Sequence, residues 1–495
     1  MNYQIAMVGL GVMGKSLALN LVDHGFSVVG FDLSQSHCLR ADKEAQELSL
    51  NPNKGQFKIA QNLKNLLSCL ATPRVIALSV PAGEIVDQVI EQLLQNGLEA
   101  QDIVIDTGNS LWTDSERREE VFAGRLRFFS TAVSGGEQGA RHGPSLMASG
   151  DPVAWKHVEP MWTAIAAKVD SNGLSIDSHQ SGEACAAYLG PAGAGHYVKM
   201  VHNGIEYADM QIICEAYQYM RQVLQMSATE IGEVFTVWNQ GALNSYLMEI
   251  SADILKQHDP RTGNSLVDMI LDVAEQKGTG LWTAVNALQM GSPATTIAQA
   301  VFARALSANK GRRVKASSIL PSVKQTCLED KTQALKALED GLYCAKLVTY
   351  AQGFDLLKSK SELEGWQLNF SDIAKIWRSG CIIRAAFLQN ISAVYEQNSE
   401  LEHLLFAEDF IEQLSKRVLG WRSCSAQAIL SGVAMPAMTS ALNYYDALSS
   451  SLSPANLLQA QRDYFGAHTY ARVDEPSTDK FHLLWESETR LETKR

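Results

Sequence analysis

The chain has 495 residues, of which 46% are hydrophobic and 19% are charged, a balance typical of a globular protein of roughly two to four domains. Its formal net charge of −12 argues against a nucleic-acid backbone or an anionic membrane surface as the main partner. A ligand that is itself an anion would therefore need a local basic pocket.

The cysteines and the first residues indicate the compartment. The eight cysteines are scattered and include no C-x-x-C pair, which is typical of reduced thiols in a cytoplasmic protein. The opening MNYQIAMVGLGVMG lacks a basic segment and leads directly into glycines, as a strand and turn would and a signal peptide would not. No apolar run has the length that a bilayer span requires. We therefore expect a soluble, cytoplasmic protein.

Residues 1–190 alternate short β-branched runs with helical patterns. The runs QIAMVGL, SVVGFD, RVIALSV, DIVIDTG and RFFSTAV are predicted strands. Strands that alternate with helices in this way predict a Rossmann-type α/β domain with a parallel sheet. Thr113 and Glu116 in TDSERREE have the spacing of a capping box, which predicts the start of one of its helices.

The first strand leads into VGLGVMG, a G-x-G-x-x-G motif with Gly9, Gly11 and Gly14. Such glycines permit a tight turn and a close backbone approach, so that a pyrophosphate can sit on the N-terminus of the following helix. The second predicted strand ends in Asp32, at about the separation expected for a residue that binds the ribose. These features together predict a dinucleotide-binding site.

Asp32 bears on the choice between NAD and NADP. A carboxylate at that strand end accepts hydrogen bonds from the ribose hydroxyls of NAD and would repel the 2′-phosphate of NADP. Leu33 follows it, where an NADP enzyme often has an arginine. Ser34 and Arg40 could still help to bind a phosphate, so the residues favour NAD and leave NADP open.

After about residue 195 long helical periodicities take over, which predicts a large all-α domain over residues 191–450. Two segments of it share an order of landmarks, which predicts an internal duplication of a helical unit. Each has a K-x-V triplet, a W-x-x-G motif and a further tryptophan, at Lys199, Trp238 and Trp282 and again at Lys346, Trp377 and Trp421. Residues 451–495 are predicted to form a C-terminal tail of one helix and an extended arm, too small to fold alone.

The first copy contains HYVKMVHNGIEYADMQ, in which Lys199, His202, Asn203 and Glu206 are three and four residues apart. In a helix these side chains fall within an arc of roughly 100°. Such a stripe is either a solvated helix face or a set of reacting groups.

The second copy helps to distinguish these interpretations. It has Thr349, Tyr350 and Gly353 at the positions that correspond to the last three residues of the stripe. If both copies form the same helix, the fold does not need the polar stripe, and a chemical role is favoured.

Other stretches contain candidate ligands for a substrate. DTGNS places Asn109 at a strand end, and VSGGEQGARHGPSLM offers Ser134 and two glycines whose amides could bind a carboxylate. Each could equally be part of an ordinary turn. The cations Lys277, Arg304, Arg462 and His468 are individually typical of a solvated surface, but together they could clamp a phosphate.

Six blocks resemble the signature sequences of the long-chain 6-phosphogluconate dehydrogenase family, and they extend from the first strand to the tail. They are GLGVMGKSLALNLVDHGF, VSGGEQGARHGPSLM, GAGHYVKMVHNGIEYADMQIICEAY, QKGTGLWTA, AVFAR and QAQRDYFGAHTY. The related short 3-hydroxyacid dehydrogenases share the first domain but lack the duplicated helical half and the tail.

The resemblance implies an NAD(P)-dependent oxidoreductase of the pentose phosphate pathway and of gluconate utilization. It would convert 6-phosphogluconate into ribulose 5-phosphate and carbon dioxide. Lys199 would take the proton of the C3 hydroxyl while hydride passes to the nicotinamide, and Glu206 would later deliver a proton to the carbon that becomes C1 of the product. These roles require a lowered pKa for the lysine and a raised pKa for the glutamate. No metal-ligand cluster is seen, and the lysine takes the polarising role that a metal has in other decarboxylases.

The resemblance also assigns binding residues. The carboxylate and hydroxyl end of the substrate is assigned to Asn109, Ser134, Gly135, Gly136, His202 and Asn203. The phosphate end is assigned to Tyr207, Lys277, Thr279, Arg304, Arg462 and His468. The cofactor is assigned to Gly9, Leu10, Gly11, Val12, Met13, Gly14, Asp32, Leu33, Ser34, Val80, Pro81, Ala82 and Asn109. Because the tail of this family reaches into the neighbouring subunit, a homodimer is implied in which Arg462 and His468 complete the other subunit's site.

The chain departs from the family near the cofactor. NADP-using members have an N-R-T run where this chain has Asp32, Leu33 and Ser34, and a lysine where it has Pro81. Both differences remove phosphate-friendly groups and so favour NAD, although the usual family cofactor is NADP. Thr107 replaces a family glycine, and the substrate residues show no departure.

Two alternatives remain. One is a 3-hydroxyacid dehydrogenase that acts on another sugar acid without decarboxylation, which the phosphate-binding cations disfavour. The other is a catalytically idle nucleotide-binding homologue, which the intact pair of Lys199 and Glu206 disfavours.

Overall fold

The structure is a computed structural model that describes residues 3–48, 53–276, 278–321 and 330–495. The chain divides into two compact units, Met1–Ala441 and Leu442–Arg495, and each is described by itself.

The first part of the larger unit is an α/β structure. Its strands are β1 (Ile5–Val8), β2 (Val28–Phe31), β3 (Phe57–Ile59), β4 (Val75–Leu78), β5 (Ile103–Asp106), β6 (Arg127–Ser134), β7 (Ser145–Gly150), β8 (Lys168–Val169), β9 (Ser175–Ile176), β10 (Glu183–Ala184) and β11 (Ala186–Tyr188). Its helices are α1 (Val12–Asp23), α2 (Gln35–Leu48), α3 (Leu63–Ser68), α4 (Glu84–Gln95), α5 (Trp112–Phe122), α6 (Gly136–His142) and α7 (Pro152–Ile165).

The main sheet has the strand order β11-β7-β6-β5-β4-β1-β2-β3, and β8 to β10 form a small separate sheet. From β3 to β6 all neighbouring strands are parallel, in the order 3-2-1-4-5-6 of dinucleotide-binding folds. The predicted Rossmann-type fold is thus confirmed. Strand β7 is an addition that runs antiparallel to β6, because the connection through the short helix α6 does not provide a full crossover.

Alternate residues of the strands face opposite sides of the sheet. In β1, Ile5 and Met7 belong to one buried apolar cluster, and Ala6 and Val8 belong to another on the other face. Both faces are therefore covered, as expected for a parallel sheet with helices on each side.

The predicted capping box at Thr113 and Glu116 is wrong. Helix α5 begins at Trp112, its N-cap is Leu111, and no side chain caps it. Thr113 therefore lies inside the first turn. The indole of Trp112 packs edge-on against the rings of Tyr197 and Trp366. With these ring contacts the helix starts two residues earlier than the polar pattern indicates.

The rest of the larger unit is helical, as predicted. Its helices are α8 (Ala194–Gln222), α9 (Ala228–Trp238), α10 (Tyr246–Lys256), α11 (Leu266–Met269), α12 (Thr279–Met290), α13 (Thr295–Ala308), α14 (Lys310–Ile319), α15 (Lys331–Glu364), α16 (Phe370–Ile376), α17 (Phe387–Gln397) and α18 (Glu408–Leu430), and α19 (Pro436–Leu448) begins in this unit. A 3-10 turn covers Leu404–Phe406. In the part of the chain that the structure describes, no helix combines the length and the apolarity needed to cross a bilayer.

The two segments predicted to be copies each begin with a long helix, α8 with 29 residues and α15 with 34. These helices pack closely against each other. A Cβ added to Gly353 of α15 would lie 2.5 Å from Ile205 of α8, and one added to Gly204 would lie 2.6 Å from Thr283 of α12. Glycine at these crossings therefore lets α8 lie against two neighbouring helices at once.

The predicted domain boundary at residues 190 and 191 falls between β11 and α8, whereas the smaller compact unit begins at Leu442, before the predicted tail boundary. This unit contains α20 (Ala455–Gly466) and an antiparallel pair, β12 (Phe481–Leu483) and β13 (Glu492–Lys494). Its last part is thus a hairpin rather than the predicted extended arm. The buried Asp463 accepts hydrogen bonds from the indole of Trp485 and the imidazole of His482, at 2.8 Å each.

Candidate active site

The glycine-rich turn between β1 and α1 has the shape of a dinucleotide cradle. Gly9 has a φ of +93°, and a Cβ on it would lie 2.3 Å from the carbonyl oxygen of Ser79. A Cβ on Gly14 would lie 2.0 Å from the carbonyl oxygen of Gly9, whereas one on Gly11 would meet no atom within 4 Å. No side chain caps α1, so its first amides face this open space and fit a pyrophosphate.

Asp32 follows β2 and is tied into this turn. Its carboxylate accepts hydrogen bonds from the amides of Leu10 at 2.6 Å and Ser34 at 2.7 Å. Burial opposes ionisation, but these amides and the nearby imidazole of His37 outweigh it, so the pKa of Asp32 is lowered. The carboxylate is therefore ionised at neutral pH. Leu33, which follows it, is 95% exposed.

The other predicted cofactor residues line the carboxyl edge of the sheet, where ligands of such folds bind. Val12 and Met13 lie in the first turn of α1, Val80, Pro81 and Ala82 lie between β4 and α4, and Asn109 lies between β5 and α5. The side chains of Pro81, Ala82 and Asn109 are exposed.

Arg118 joins two of these loops, and the sequence did not reveal it. Its fully buried guanidinium donates to the carbonyl of Gly83 at 2.8 Å, to the Asp106 carboxylate at 3.3 Å and to the Ser110 hydroxyl at 3.4 Å. Ser110 donates to Asp106 at 2.6 Å. These contacts fix the loop that contains Asn109 against the loop after β4. In SERREE, Arg118 has the appearance of an ordinary solvated charge.

The predicted stripe on α8 faces a single site. The amine of Lys199 donates to the hydroxyl of Ser134 at 2.9 Å and lies 3.3 Å from Nδ1 of His202. The same ring nitrogen lies 3.1 Å from Oδ1 of Asn203 and 3.8 Å from Oε2 of Glu206. An amine and a carboxyl group thus both lie within 4 Å of one imidazole nitrogen.

Burial sets the protonation of these groups. It lowers the pKa of the Lys199 amine, although the nearby Glu206 carboxylate acts in the opposite direction. It raises the pKa of Glu206, although Lys199 and Arg304 oppose that shift. Burial and the adjacent Lys199 charge also lower the pKa of His202 well below its usual range. Burial thus shifts the pKa of each of the three groups in the direction that favours its uncharged form.

The turn after β6 requires its glycines. Gly135 has a φ of +114° and Gly136 a φ of +62°, a region that other residues rarely adopt. A Cβ on Gly135 would also lie 2.5 Å from the carbonyl oxygen of Gly380, which belongs to the W-x-x-G motif of the second copy. The second copy thus supports the turn that presents Ser134 to Lys199.

Further along α8, an arginine side chain and the N-terminus of α12 lie beside the same tyrosine ring. The guanidinium of Arg304 lies 3.5 Å from the centre of the Tyr207 ring. A Cβ on Gly280 would lie 2.4 Å from the same ring, so α12 begins beside it. Thr279 is the first residue of α12, and no side chain caps that helix. Tyr207, Thr279 and Arg304 are therefore brought together; Lys277 lies outside the described residues.

The remaining predicted residues belong to the smaller unit. Arg462 and His468 are both exposed there, and Arg462 donates to the Gln459 side chain at 3.0 Å. Their assignment to a substrate site stays a prediction.

Two further residues support the site without having been predicted. His196, at the start of α8, contacts the carbonyl of Gly108 at 3.0 Å and the hydroxyl of Ser115 at 2.7 Å. Trp377 packs edge-on against the ring of His202, with centroids 5.6 Å apart. His196 lies in the same sequence block as Lys199. A histidine or a tryptophan in an apolar helix is, however, usually an ordinary core residue, so the sequence pattern did not single out either side chain.

A dinucleotide cradle at the switch point of a Rossmann sheet, in the same unit as a buried lysine with a lowered pKa and a nearby carboxyl group with a raised pKa, defines the class of nicotinamide-dependent dehydrogenases. Sequence comparison is more specific. Residues 4–173 match the NAD binding domain of 6-phosphogluconate dehydrogenase, and residues 195–485 match the C-terminal domain of 6-phosphogluconate dehydrogenase. The chain belongs to the 6-phosphogluconate dehydrogenase family.

Individual relatives agree with this assignment. The chain is 48% identical to the decarboxylating 6-phosphogluconate dehydrogenase of Candida albicans, over 94% of this chain and 87% of the relative. It is 46% identical to the NADP(+)-dependent, decarboxylating enzyme of Bacillus subtilis, over 97% of this chain and 99% of the relative. The Plasmodium falciparum 6-phosphogluconate dehydrogenase, solved in its apo form and with NADP+ or 6-phosphogluconate, superposes with a TM-score of 0.90 at 39% identity, over 97% of this chain and 100% of that one.

Proposed function

We propose that the chain catalyses the oxidative decarboxylation of 6-phosphogluconate to ribulose 5-phosphate and carbon dioxide, a step of the pentose phosphate pathway. The observation that carries this proposal is the placement of Lys199 and Glu206 within reach of the same nitrogen of His202. The names of the relatives support the choice of substrate. The free thiols among the described cysteines are those of a reducing compartment, which supports a cytoplasmic enzyme.

In this mechanism Lys199 acts twice. Its neutral amine accepts the proton of the C3 hydroxyl, and the bound nicotinamide cofactor accepts the hydride from C3. The resulting ammonium then donates a hydrogen bond to the C3 ketone oxygen. Electrons of the breaking bond between C1 and C2 flow toward that oxygen, which takes the ammonium proton; carbon dioxide leaves, and an enediol remains.

Glu206 completes the reaction. Its protonated carboxyl group donates a proton to the carbon that lost carbon dioxide, while Lys199 takes back the enediol proton as the ketone forms. The lowered pKa of the lysine and the raised pKa of the glutamate match these two roles. The bound sugar acid lies along α8, with Ser134, His202 and Asn203 at its carboxylate end.

The phosphate end of the substrate lies beside Tyr207. Arg304 provides a positive charge there, and the first turn of α12 at Thr279 provides backbone amides. Lys277, Arg462 and His468 remain proposed further ligands of this phosphate.

Substitution of the two reacting groups tests the reaction. Lys199→Met removes the proton acceptor and the polarising charge, and we expect kcat to fall about 10³-fold; Glu206→Gln removes only the acid, and we expect a fall of about 10²-fold. Nicotinamide reduction and released carbon dioxide are measured with 6-phosphogluconate and either NAD or NADP. Glu249→Gln, an exposed carboxylate on α10, serves as the control and should leave turnover unchanged.

Two outcomes would contradict the proposal. Reduction of the cofactor by the wild-type chain without carbon dioxide would support a non-decarboxylating 3-hydroxyacid dehydrogenase. No turnover with either cofactor would support an idle nucleotide-binding homologue.

We propose further that this chain prefers NAD, in contrast to the Bacillus subtilis relative that is named as NADP(+)-dependent. The ionised Asp32 carboxylate lies at the ribose end of the cradle, and a 2′-phosphate would meet its negative charge. Among the described residues, the side chain that hydrogen-bonds to this carboxylate is the imidazole of His37.

The double substitution Asp32→Asn with Leu33→Arg replaces repulsion with attraction at the ribose. We expect the ratio of kcat/KM for NADP to that for NAD to rise at least about tenfold. Asp42→Lys on α2 makes the same change of two charge units away from the cradle and should leave the ratio as it is. An unchanged ratio in the double variant would remove the proposed preference.

The tail supports a proposal about assembly. We infer a homodimer in which Arg462 and His468 of each chain complete the other subunit's phosphate site. In the smaller unit both side chains are exposed and Arg462 has no carboxylate partner among the described residues, so its charge is available to a phosphate.

Mixed dimers test this arrangement. Lys199→Met and Arg462→Ala should each be nearly inactive alone, but their random mixture should recover about a quarter of wild-type activity, since half of the dimers then contain one complete site. Mixed dimers that form, as shown by mass, but stay inactive would show that the tail serves its own chain.

A further inference from the structure

A lysine that takes no part in the proposed reaction is buried among aromatic rings. Lys360, near the end of α15, is 4% exposed. Its ammonium lies 3.9 Å from the centre of the Trp112 indole, 5.8 Å from that of Tyr197 and 5.9 Å from that of Trp366. We call these three rings the Lys360 cage.

The cage is a packed group of rings, and it is not a chance contact. Trp112 and Tyr197 meet edge-on with centroids 5.6 Å apart, and Tyr197 and Trp366 do so at 5.4 Å. Aromatic faces attract a cation, and the attraction grows when water is excluded, as it is here. The arrangement therefore binds a positive charge specifically, where an apolar side chain would gain packing alone.

The charges around Lys360 come from two helices. Glu364 of α15 accepts a hydrogen bond from its ammonium at 2.5 Å. Glu116 of α5 is partly buried beside the pair. Burial raises its pKa to about 7, Glu364 adds to that shift and Lys360 opposes it. The ammonium therefore balances carboxyl groups from both the α/β part and the helical part of the larger unit.

The Lys360 cage connects two parts of the candidate active site, the loop that contains Asn109 and helix α8. Trp112 begins α5, three residues after Asn109, which lies in the loop at the sheet edge. Tyr197 lies on α8, two residues before Lys199. Lys360 reaches both from α15. A side chain that holds Trp112 against Tyr197 therefore holds the Asn109 loop at a set distance from the reacting amine.

We propose that Lys360 is a positioning residue of this enzyme. Its ammonium locks the N-terminus of α5 against α8, so that the loop of Asn109 and the amine of Lys199 meet the same bound substrate and cofactor. His196 contributes to the same junction through Gly108 and Ser115. Lys360 touches neither ligand and acts through Trp112 and Tyr197.

The test compares two lysines of one helix. Lys360→Met keeps the aliphatic stem and removes the charge, and we expect kcat to fall about 10- to 100-fold because the reacting groups are misaligned, with KM for 6-phosphogluconate changing less than about threefold. Lys358→Met, whose amine donates to the carbonyl of Leu401, should behave as wild type. Lys360→Arg keeps a cation that stacks on aromatic rings and should restore most of the activity.

Because this inference rests on the proposed reaction, a second readout does not involve turnover. Hydrogen exchange of the amides in residues 108–116 should be faster in Lys360→Met than in wild type and unchanged in Lys358→Met. If wild type is inactive but this exchange difference is found, the junction stands and the proposed reaction fails. If Lys360→Met does not fold, Trp112→Leu provides the same two measurements.

An unaltered kcat together with unaltered exchange in folded Lys360→Met would overturn the inference. A fall in kcat that Lys360→Arg fails to restore would also overturn it, because the charge would then not be the feature that matters.

Discussion

Burial of the Lys199 amine in α8 takes it out of water, and a buried ammonium is costly unless a carboxylate pairs with it. Among the described residues no carboxylate lies within ion-pair distance of Lys199; its neighbours are the Ser134 hydroxyl and the His202 imidazole. The second copy shows the contrast. Lys346, at the corresponding position of α15, is fully buried too, but it is paired with Asp209 at 2.5 Å. The buried lysine of α15 thus has a carboxylate partner that the buried lysine of α8 lacks, and the proposed proton transfers depend on that difference.

The Lys199 amine can react only if other groups are held around it. Gly204 and Gly353 allow α12 and α15 to lie against α8, and Gly380 of the second copy underlies the turn that presents Ser134. On the sheet side, Arg118 fixes the loop of Asn109 through Asp106. Such contacts restrict the freedom of the reacting groups before any ligand binds, which is how a fold lowers the entropic part of a barrier.

Much of this was predictable from local pattern. The glycine motif, the strand ending in Asp32 and the helical stripe from Lys199 to Glu206 each depend on short-range geometry that a sequence encodes directly. The features that were predicted wrongly or missed depend on packing between residues that are far apart in the sequence. The capping pattern at Thr113 was overridden by ring contacts of Trp112, and β7 was missed because SLMASG has no β-branched residue. Arg118 and Lys360 look like surface charges in sequence, since only the tertiary structure brings their partners to them.

The pH dependence of kcat/KM tests the central claim most directly, because the lysine must be neutral and the carboxyl group protonated in the same site. The account predicts that wild-type kcat/KM rises and then falls with increasing pH, with apparent pKa values that belong to the coupled pair. In Glu206→Gln the fall at high pH should disappear, since no acid remains to lose its proton, while the rise that reports deprotonation of Lys199 should stay. A Glu206→Gln profile that keeps the same fall at high pH would contradict the assignment of the two groups.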